Sequence, residues 1–149
     1  MRGMWLVPAA LGLVACGSAP TPPLTGDLLG APTTLNVSGR VVSAQATPTI
    51  QGDEFRVRVR VQAARPPLPA LKVTGIFVVT DAGVWKAPVP SGARLVCGAR
   101  MCLQGTATGP ASGIQPGEDV QVVARLQDRQ GREFWLRDRD VRVGGATTP

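Results

Sequence analysis

From residue 35 onward, apolar and polar positions alternate with period two over several short segments, which is the pattern of half-buried strands. The clearest segment is 55–61, where Phe55, Val57 and Val59 alternate with arginines. Residues 71–80 are mostly apolar, which predicts a strand buried on both faces. No segment shows helical periodicity of useful length, so the pattern predicts a chain built from strands.

Turn residues separate these segments at intervals of about ten residues. Residues 81–83 predict a hairpin loop with a return strand at 84–87, and residues 128–131 predict a turn before the last strand. The other strands are expected at 35–41, 94–97, 101–108, 120–126 and 134–143. About seven strands with such turns predict an all-β antiparallel sandwich, and a small β-barrel is the alternative.

The first sixteen residues have a different pattern, with Arg2, an apolar run over 4–14 and the ending Leu13-Val14-Ala15-Cys16. A basic start and a short apolar run indicate a secretory signal, and the run is too short to span a bilayer. The ending resembles the lipobox of bacterial lipoproteins, which implies cleavage before Cys16 and lipid, palmitate included, on that cysteine. We therefore expect a signal peptide at 1–15, a Pro-rich tether at 16–34, a sandwich domain at 35–145 and a disordered tail at 146–149.

The end of the domain carries a second resemblance. Residues 117–143 contain a valine-rich segment, an Asp-x-x-Gly turn and a final strand, and they resemble the last hairpin of immunoglobulin-like or fibronectin-type-III-like bacterial domains. This resemblance implies an immunoglobulin-like sandwich. The chain contains no tyrosine, so it lacks the tyrosine corner of many such domains.

Charge and cysteine content bear on partners and compartment. Without residues 1–15, the chain has 15 basic and 10 acidic side chains, so anionic lipid headgroups, an acidic envelope polymer or an envelope protein are expected partners. Nucleic acid is not expected for an exported chain without aromatics among its arginines. Lipid on Cys16 leaves Cys97 and Cys102 as a pair, which predicts a disulfide worth about 2 kcal/mol. A redox role is the alternative, but the spacing is not Cys-x-x-Cys.

Two groups of side chains are candidates for an interaction surface. Arg56, Arg58 and Arg60 would project from one face of a strand as a cationic strip, unless they only solvate a sheet face. Trp135 beside Arg137 would form a contact platform, unless this segment makes cross-strand ion pairs. Trp85 is either a further anchor or part of the core.

Residue types that support catalysis are scarce. The chain has no histidine, which removes imidazole bases, Ser-His-Asp triads and most zinc sites, so we expect no enzyme activity, cofactor or metal. The sequence favours a lipid-anchored, non-catalytic binding or structural module of the bacterial cell envelope, facing the periplasm or the exterior. The alternatives are a binder of a small ligand or glycan, with a pocket at Trp85 or Trp135, and a hydrolase or redox enzyme.

Overall fold

The computed structural model describes residues 25–145. The predicted signal peptide, the lipid attachment site at Cys16 and the tail at 146–149 therefore lie outside the described residues. Within the described range the chain forms ten strands and one short helix. No helix of this range is long and apolar enough to cross a bilayer.

One sheet has six strands, which are β1 (Thr34–Val37), β2 (Arg40–Gln51), β3 (Glu54–Ala63), β6 (Gly92–Cys97), β7 (Arg100–Pro110) and β10 (Gly144–Gly145). Hydrogen bonding orders five of them β1-β2-β3-β7-β6, each pair antiparallel. The two-residue β10 runs parallel to β2. Short chain-reversing turns join β2 to β3 and β6 to β7.

The other sheet has four strands, which are β4 (Leu71–Thr80), β5 (Gly83–Pro88), β8 (Asp119–Asp128) and β9 (Glu133–Arg142). Their order is β5-β4-β8-β9, and all pairs are antiparallel. The predicted loops at 81–83 and 128–131 are confirmed as the turns of the two hairpins in this sheet.

The two sheets pack face to face, and both stay open, so the predicted sandwich is confirmed and the barrel alternative is wrong. Strands β2-β3-β7-β6 opposite β4-β8-β9 have the order of the seven-stranded immunoglobulin constant-type sandwich. The chain crosses between sheets after β3, β5 and β7, which gives the Greek-key connections of that fold, and crosses once more from β9 to the short β10. The strand count is ten rather than about seven because β1, β5 and β10 extend this framework.

The core lies between the sheets and is built from the inward members of the predicted alternation. In β3, Phe55, Val57 and Val59 are buried, while the intervening arginines point away from the core. The sheets come very close at Gly105, where an added Cβ would lie 2.9 Å from Cβ of Val73. The prediction for β4 is confirmed, because its side chains contact the core on one face and a second apolar cluster on the other.

The expectation of one continuous strand at 35–41 is wrong. Ser38 and Gly39 have φ of 51° and 78°, so the chain reverses there in a two-residue turn. The Asn36 side chain stabilises this turn by accepting a hydrogen bond of 3.0 Å from the Gly39 amide. The reversal changes the phase of the alternation, so that Val41 is exposed and Val42 is fully buried.

The part of the predicted tether that the structure describes is packed on the domain. Helix α1 (Thr25–Leu29) lies against the outer face of the four-stranded sheet. Leu28 is only 1% exposed and, with Ala31, packs on an apolar cluster of that face, formed by Phe77, Val79, Val123 and the half-buried Trp135. We call residues 25–32 the clasp. Sequence periodicity could not predict it, because a five-residue helix is shorter than two turns.

Candidate functional site

The candidate site is the outer face of the six-stranded sheet around β3. Because successive side chains of a strand point to opposite faces, the burial of Phe55, Val57 and Val59 places Arg56, Arg58 and Arg60 together on the outside. Adjacent arginines are about 7 Å apart along the strand. The structure therefore brings these three predicted residues together as a row, which we call the arginine row.

Hydroxyl and amide side chains flank the arginine row on both neighbouring strands. In β2 and β7, the positions opposite the three arginines are Thr49 and Thr108, Thr47 and Thr106, and Gln45 and Gln104. A shallow depression of about 340 Å³ lies among them, lined by Thr47, Thr49, Arg56, Arg58, Gln104 and Thr106. These six lining residues include no carboxylate, so the depression presents hydrogen-bond donors to a ligand.

The three guanidinium groups differ in their partners. Arg56 contacts Glu54 at 3.2 Å, in an exposed ion pair. Arg60 donates a hydrogen bond of 3.0 Å from Nε to Oε1 of Gln104. The guanidinium of Arg58, the middle residue, makes no hydrogen bond or ion pair with the described part of the chain. Its planar set of five donors therefore remains available, and this geometry matches a carboxylate or phosphate.

The predicted platform at Trp135 and Arg137 lies on the opposite side of the molecule, on the outer face of the four-stranded sheet. The Trp135 ring packs on Phe77, with ring centroids 5.2 Å apart. Arg137 donates hydrogen bonds from its amide to the Pro32 carbonyl and from Nε to the Ala31 carbonyl, each 2.9 Å long. Both residues therefore hold the clasp, and the arginine row is a separate surface.

Trp85 belongs to the core. Its ring packs edge-on against Phe55 at 4.7 Å, and its indole Nε1 donates a hydrogen bond of 2.8 Å to the Pro110 carbonyl. A depression of about 400 Å³ opens beside it, but the Trp85 side chain is buried and its polar atom is already paired. The geometry gives a ligand little aromatic surface to stack on.

Cys97 and Cys102 lie at disulfide distance in the β6–β7 hairpin, with their Cα atoms 5.8 Å apart. Cys102 is fully buried and Cys97 is partly buried. Burial of one sulfur limits access for thiol exchange, which favours a structural bond. The pair joins the edge strand β6 to β7, the neighbour of β3, and stiffens that edge of the sheet.

One half-buried carboxylate of the described range, Asp138, has a structural role. Asp138 accepts a 2.8 Å hydrogen bond from the Ala46 amide and so links β9 to β2 across the sandwich. Burial raises the pKa of Asp138, and the nearby Asp140 charge adds to this, against the Ala46 hydrogen bond. The described residues contain no group of three or more His, Cys, Asp or Glu side chains that could hold a metal ion.

Sequence reasoning missed the flanks of the site. Residues 42–51 received no strand prediction because the inward positions of β2 include Ala44, Ala46 and Pro48, which give a weak apolar signal. The polar half of the alternation, Ser43 to Thr49 at every second position, is a signal that could have identified this strand. Comparison with known proteins adds no assignment, because no protein-family model matches the chain and no curated protein matches its sequence.

Proposed function

We propose that this chain is a lipid-anchored, non-catalytic binding module of the bacterial envelope, which holds an acidic envelope polymer on the arginine row. The lipobox-like ending at Cys16 supports the anchor, and the cysteine count agrees with it. Pairing of Cys97 with Cys102 leaves Cys16 as the remaining cysteine of the sequence. Two or three acyl chains would hold the protein on a membrane, since each buried CH₂ contributes about 0.8 kcal/mol.

The observation that carries the binding role is the unpartnered guanidinium of Arg58 between two strands of threonines. A surface arginine that only solvates the sheet needs no such surroundings, whereas an oxyanion needs several donors arranged around it. Threonine hydroxyls and Gln104 can donate to the same ligand group that Arg58 binds. The rigid sheet holds these donors in place, so little conformational entropy is lost on binding.

The ligand is a chain that repeats phosphate or carboxylate groups. Three arginines at intervals of about 7 Å along β3 match several charges of an extended polymer better than one small anion. The face is flat and polar, and it contains no concave apolar pocket of the kind that buries a small molecule.

Binding is tested with two soluble probes, polyphosphate and polyglutamate, on the chain from residue 16 with Cys16→Ser. We expect Arg58→Gln to weaken binding at least tenfold, since a hydrogen bond to a charged group contributes about 1.5–3 kcal/mol. Lys86→Gln, which removes the same charge from an exposed position of the other sheet, is the matched control and should change binding less than about threefold. Equal losses in both variants would mean that net charge, and not the arginine row, governs binding.

The anchor is tested separately by incorporation of labelled palmitate in the producing bacterium. We expect label in the native chain and none in Cys16→Ala, which should also leave the membrane fraction. Label that persists in Cys16→Ala would refute the lipidation site.

A further inference from the structure

Charge is unevenly distributed along the strands of the sandwich. The turns at 38–39, 64–70, 98–99 and 129–132 all lie at one end, which we call the loop end. Five basic residues lie in these turns or in the adjoining strand ends, namely Arg40, Arg65, Lys72, Arg100 and Arg129, and Arg94 of β6 is the sixth basic residue of this end. At the same end Arg132 is paired with Asp128, and Glu133 is the remaining acid of the described chain there.

The opposite end has the reverse balance. Around the turns at 52–53, 81–82 and 111–118 and at the end of β9, acids outnumber basic residues, with Asp53, Glu54, Asp81, Glu118, Asp119 and Asp140 against Arg56, Lys86, Arg139 and Arg142. The net positive charge of the described domain is therefore concentrated at the loop end, and the domain has a strong charge dipole along its strands.

Three of the basic side chains of the loop end converge. Lys72, Arg94 and Arg129 line one depression of about 520 Å³ where the two sheets meet. Asp128 also lines it, but its carboxylate accepts hydrogen bonds from Nε of Arg132 at 2.7 Å and from two backbone amides. Although burial acts to raise the pKa of Asp128, these hydrogen bonds lower it, so the carboxylate stays ionised and its charge is already compensated by Arg132.

Hydrogen bonds from arginine side chains also connect neighbouring turns of the loop end. Arg94 donates a hydrogen bond of 2.8 Å from Nη2 to the Leu68 carbonyl, and Arg100 donates one of 2.6 Å from Nη1 to the Ala64 carbonyl. Both bonds join the β6–β7 hairpin to the 64–70 turn. Lys72, Arg65 and Arg129 make no such bond within the described chain, so their charges face solvent.

An exposed apolar pair projects from this cationic surface. Val96 is 74% exposed and Met101 is 45% exposed, and they lie directly opposite each other in the β6–β7 hairpin. The Cys97–Cys102 pair holds the hairpin beside them. An apolar tip ringed by arginine and lysine is the composition that suits the headgroup region of a bilayer, where apolar groups sink in and cations bind phosphates.

We propose that the loop end binds the surface of an anionic phospholipid bilayer, with Val96 and Met101 in the headgroup region and the basic side chains on lipid phosphates. Charge complementarity supplies the attraction, and the acidic opposite end is repelled, so the domain takes one orientation. A soluble polyanion would satisfy the basic residues but would leave the apolar pair in water. The bilayer therefore fits the whole surface.

The geometry is compatible with anchoring to the same bilayer, a point that rests on the proposed lipidation of Cys16. Eight residues, 17–24, separate Cys16 from the clasp, and the nine steps from residue 16 to residue 25 can span at most about 30 Å. The clasp packs near Val79, and the eight-residue path along β4 from Val79 to Leu71 measures about 26 Å. The loop end and the lipid can thus reach one membrane.

The test is sedimentation of the chain from residue 16 with Cys16→Ser on two kinds of vesicle at low salt. One kind is pure phosphatidylcholine, and the other contains phosphatidylcholine and phosphatidylglycerol in equal parts. We expect binding to the anionic vesicles alone. Because each basic residue near an anionic surface contributes about fivefold, the triple variant Arg65→Gln, Lys72→Gln, Arg129→Gln should bind about a hundredfold more weakly.

The matched control removes three basic charges away from the loop end, as Lys86→Gln, Arg139→Gln, Arg142→Gln. It should change vesicle binding less than about threefold, and equal loss in both triple variants would overturn the proposal. The double variant Val96→Ser, Met101→Ser tests the apolar tip, and its affinity for the anionic vesicles should fall about tenfold. The proposal would also be overturned if the variant with both serines bound vesicles as tightly as the native chain. It would be overturned likewise if the loop end bound polyphosphate but not vesicles.

This experiment is independent of the arginine row. Arg58→Gln should leave vesicle binding unchanged while it weakens polymer binding, so the two proposals fail separately. If Arg58→Gln lowered vesicle binding and the loop-end triple variant did not, the arginine row would be the membrane-binding surface. That result would refute membrane binding by the loop end.

Discussion

The clasp yields a sharp prediction, because Leu28 is its large buried side chain and the neighbouring Leu29 is exposed. Leu28 is 1% exposed on the outer face of the four-stranded sheet, whereas Leu29 is 38% exposed. Buried Leu→Ala changes cost about 2–5 kcal/mol, through lost transfer free energy and the cavity that remains. We expect Leu28→Ala to lower the free energy of unfolding by about 2–3 kcal/mol, the lower part of that range, because this cluster lies at the surface of a sheet.

Leu28→Ala also weakens the packing of the whole clasp on the sheet. Its other attachments include Ala31 and the hydrogen bonds from Arg137 to the backbone carbonyls of residues 31 and 32. If the clasp detaches, Trp135 becomes hydrated and its emission shifts to longer wavelength. The measurement is urea unfolding of the chain from residue 16 in a Trp85→Phe background, where Trp135 is the remaining tryptophan.

The expected loss corresponds to a fall of about 1–2 M in the urea midpoint, given slopes of about 1–3 kcal/mol/M. Leu29→Ala is the matched control and should stay within about 0.5 kcal/mol. Equal midpoints for the two variants, with Trp135 emission unchanged in both, would refute the docking of the clasp as the cause.

Three further substitutions test the interior. Gly105→Ala should lower the free energy of unfolding, measured by chemical denaturation, by about 1–3 kcal/mol, because its Cβ would lie 2.9 Å from Val73. An unchanged denaturation midpoint would contradict the close approach of the sheets. Asp138→Asn should stabilise the protein near pH 7. Burial raises the folded-state pKa of Asp138, so its ionised form opposes folding, and the gain should disappear as the pH falls below the ordinary value of 3.8. A gain that persists at low pH would mean that ionisation is not the cause. Trp85→Phe removes an indole hydrogen bond and should cost about 1–2 kcal/mol in thermal or urea unfolding, and a neutral result would show that water replaces this bond.

Strands whose inward positions hold large apolar residues were predicted well. The alternation of β3 and the continuous apolar run of β4 were visible because valine, isoleucine and phenylalanine mark most of the buried positions. Strand β2 was missed beyond Val41, since alanine and proline mark its buried side and Val41 itself points outward. The signal fails where the neighbouring sheet comes close and leaves room for small side chains.

The surfaces were predicted in part. The arginine row followed from alternation alone, whereas its threonine flanks needed the pairing of β3 with β2 and β7. Trp135 beside Arg137 was predicted as a contact platform on a sheet surface, and the structure adds the clasp that packs on these two residues. Strand pairing and docking of distant segments involve residues up to 106 positions apart, so no local pattern contains them.

The amino-acid order by itself determined the all-β class, the main hairpin turns, the outward arginines of β3 and the lipobox-like start, because each is encoded within a few neighbouring residues. Only the tertiary structure decided that Arg58 lies unpartnered among threonines, that Leu28 closes the outer face of a sheet, and that six basic residues gather at one end. These features depend on register and sheet order, which are set by the summed packing of the core and not by any single segment.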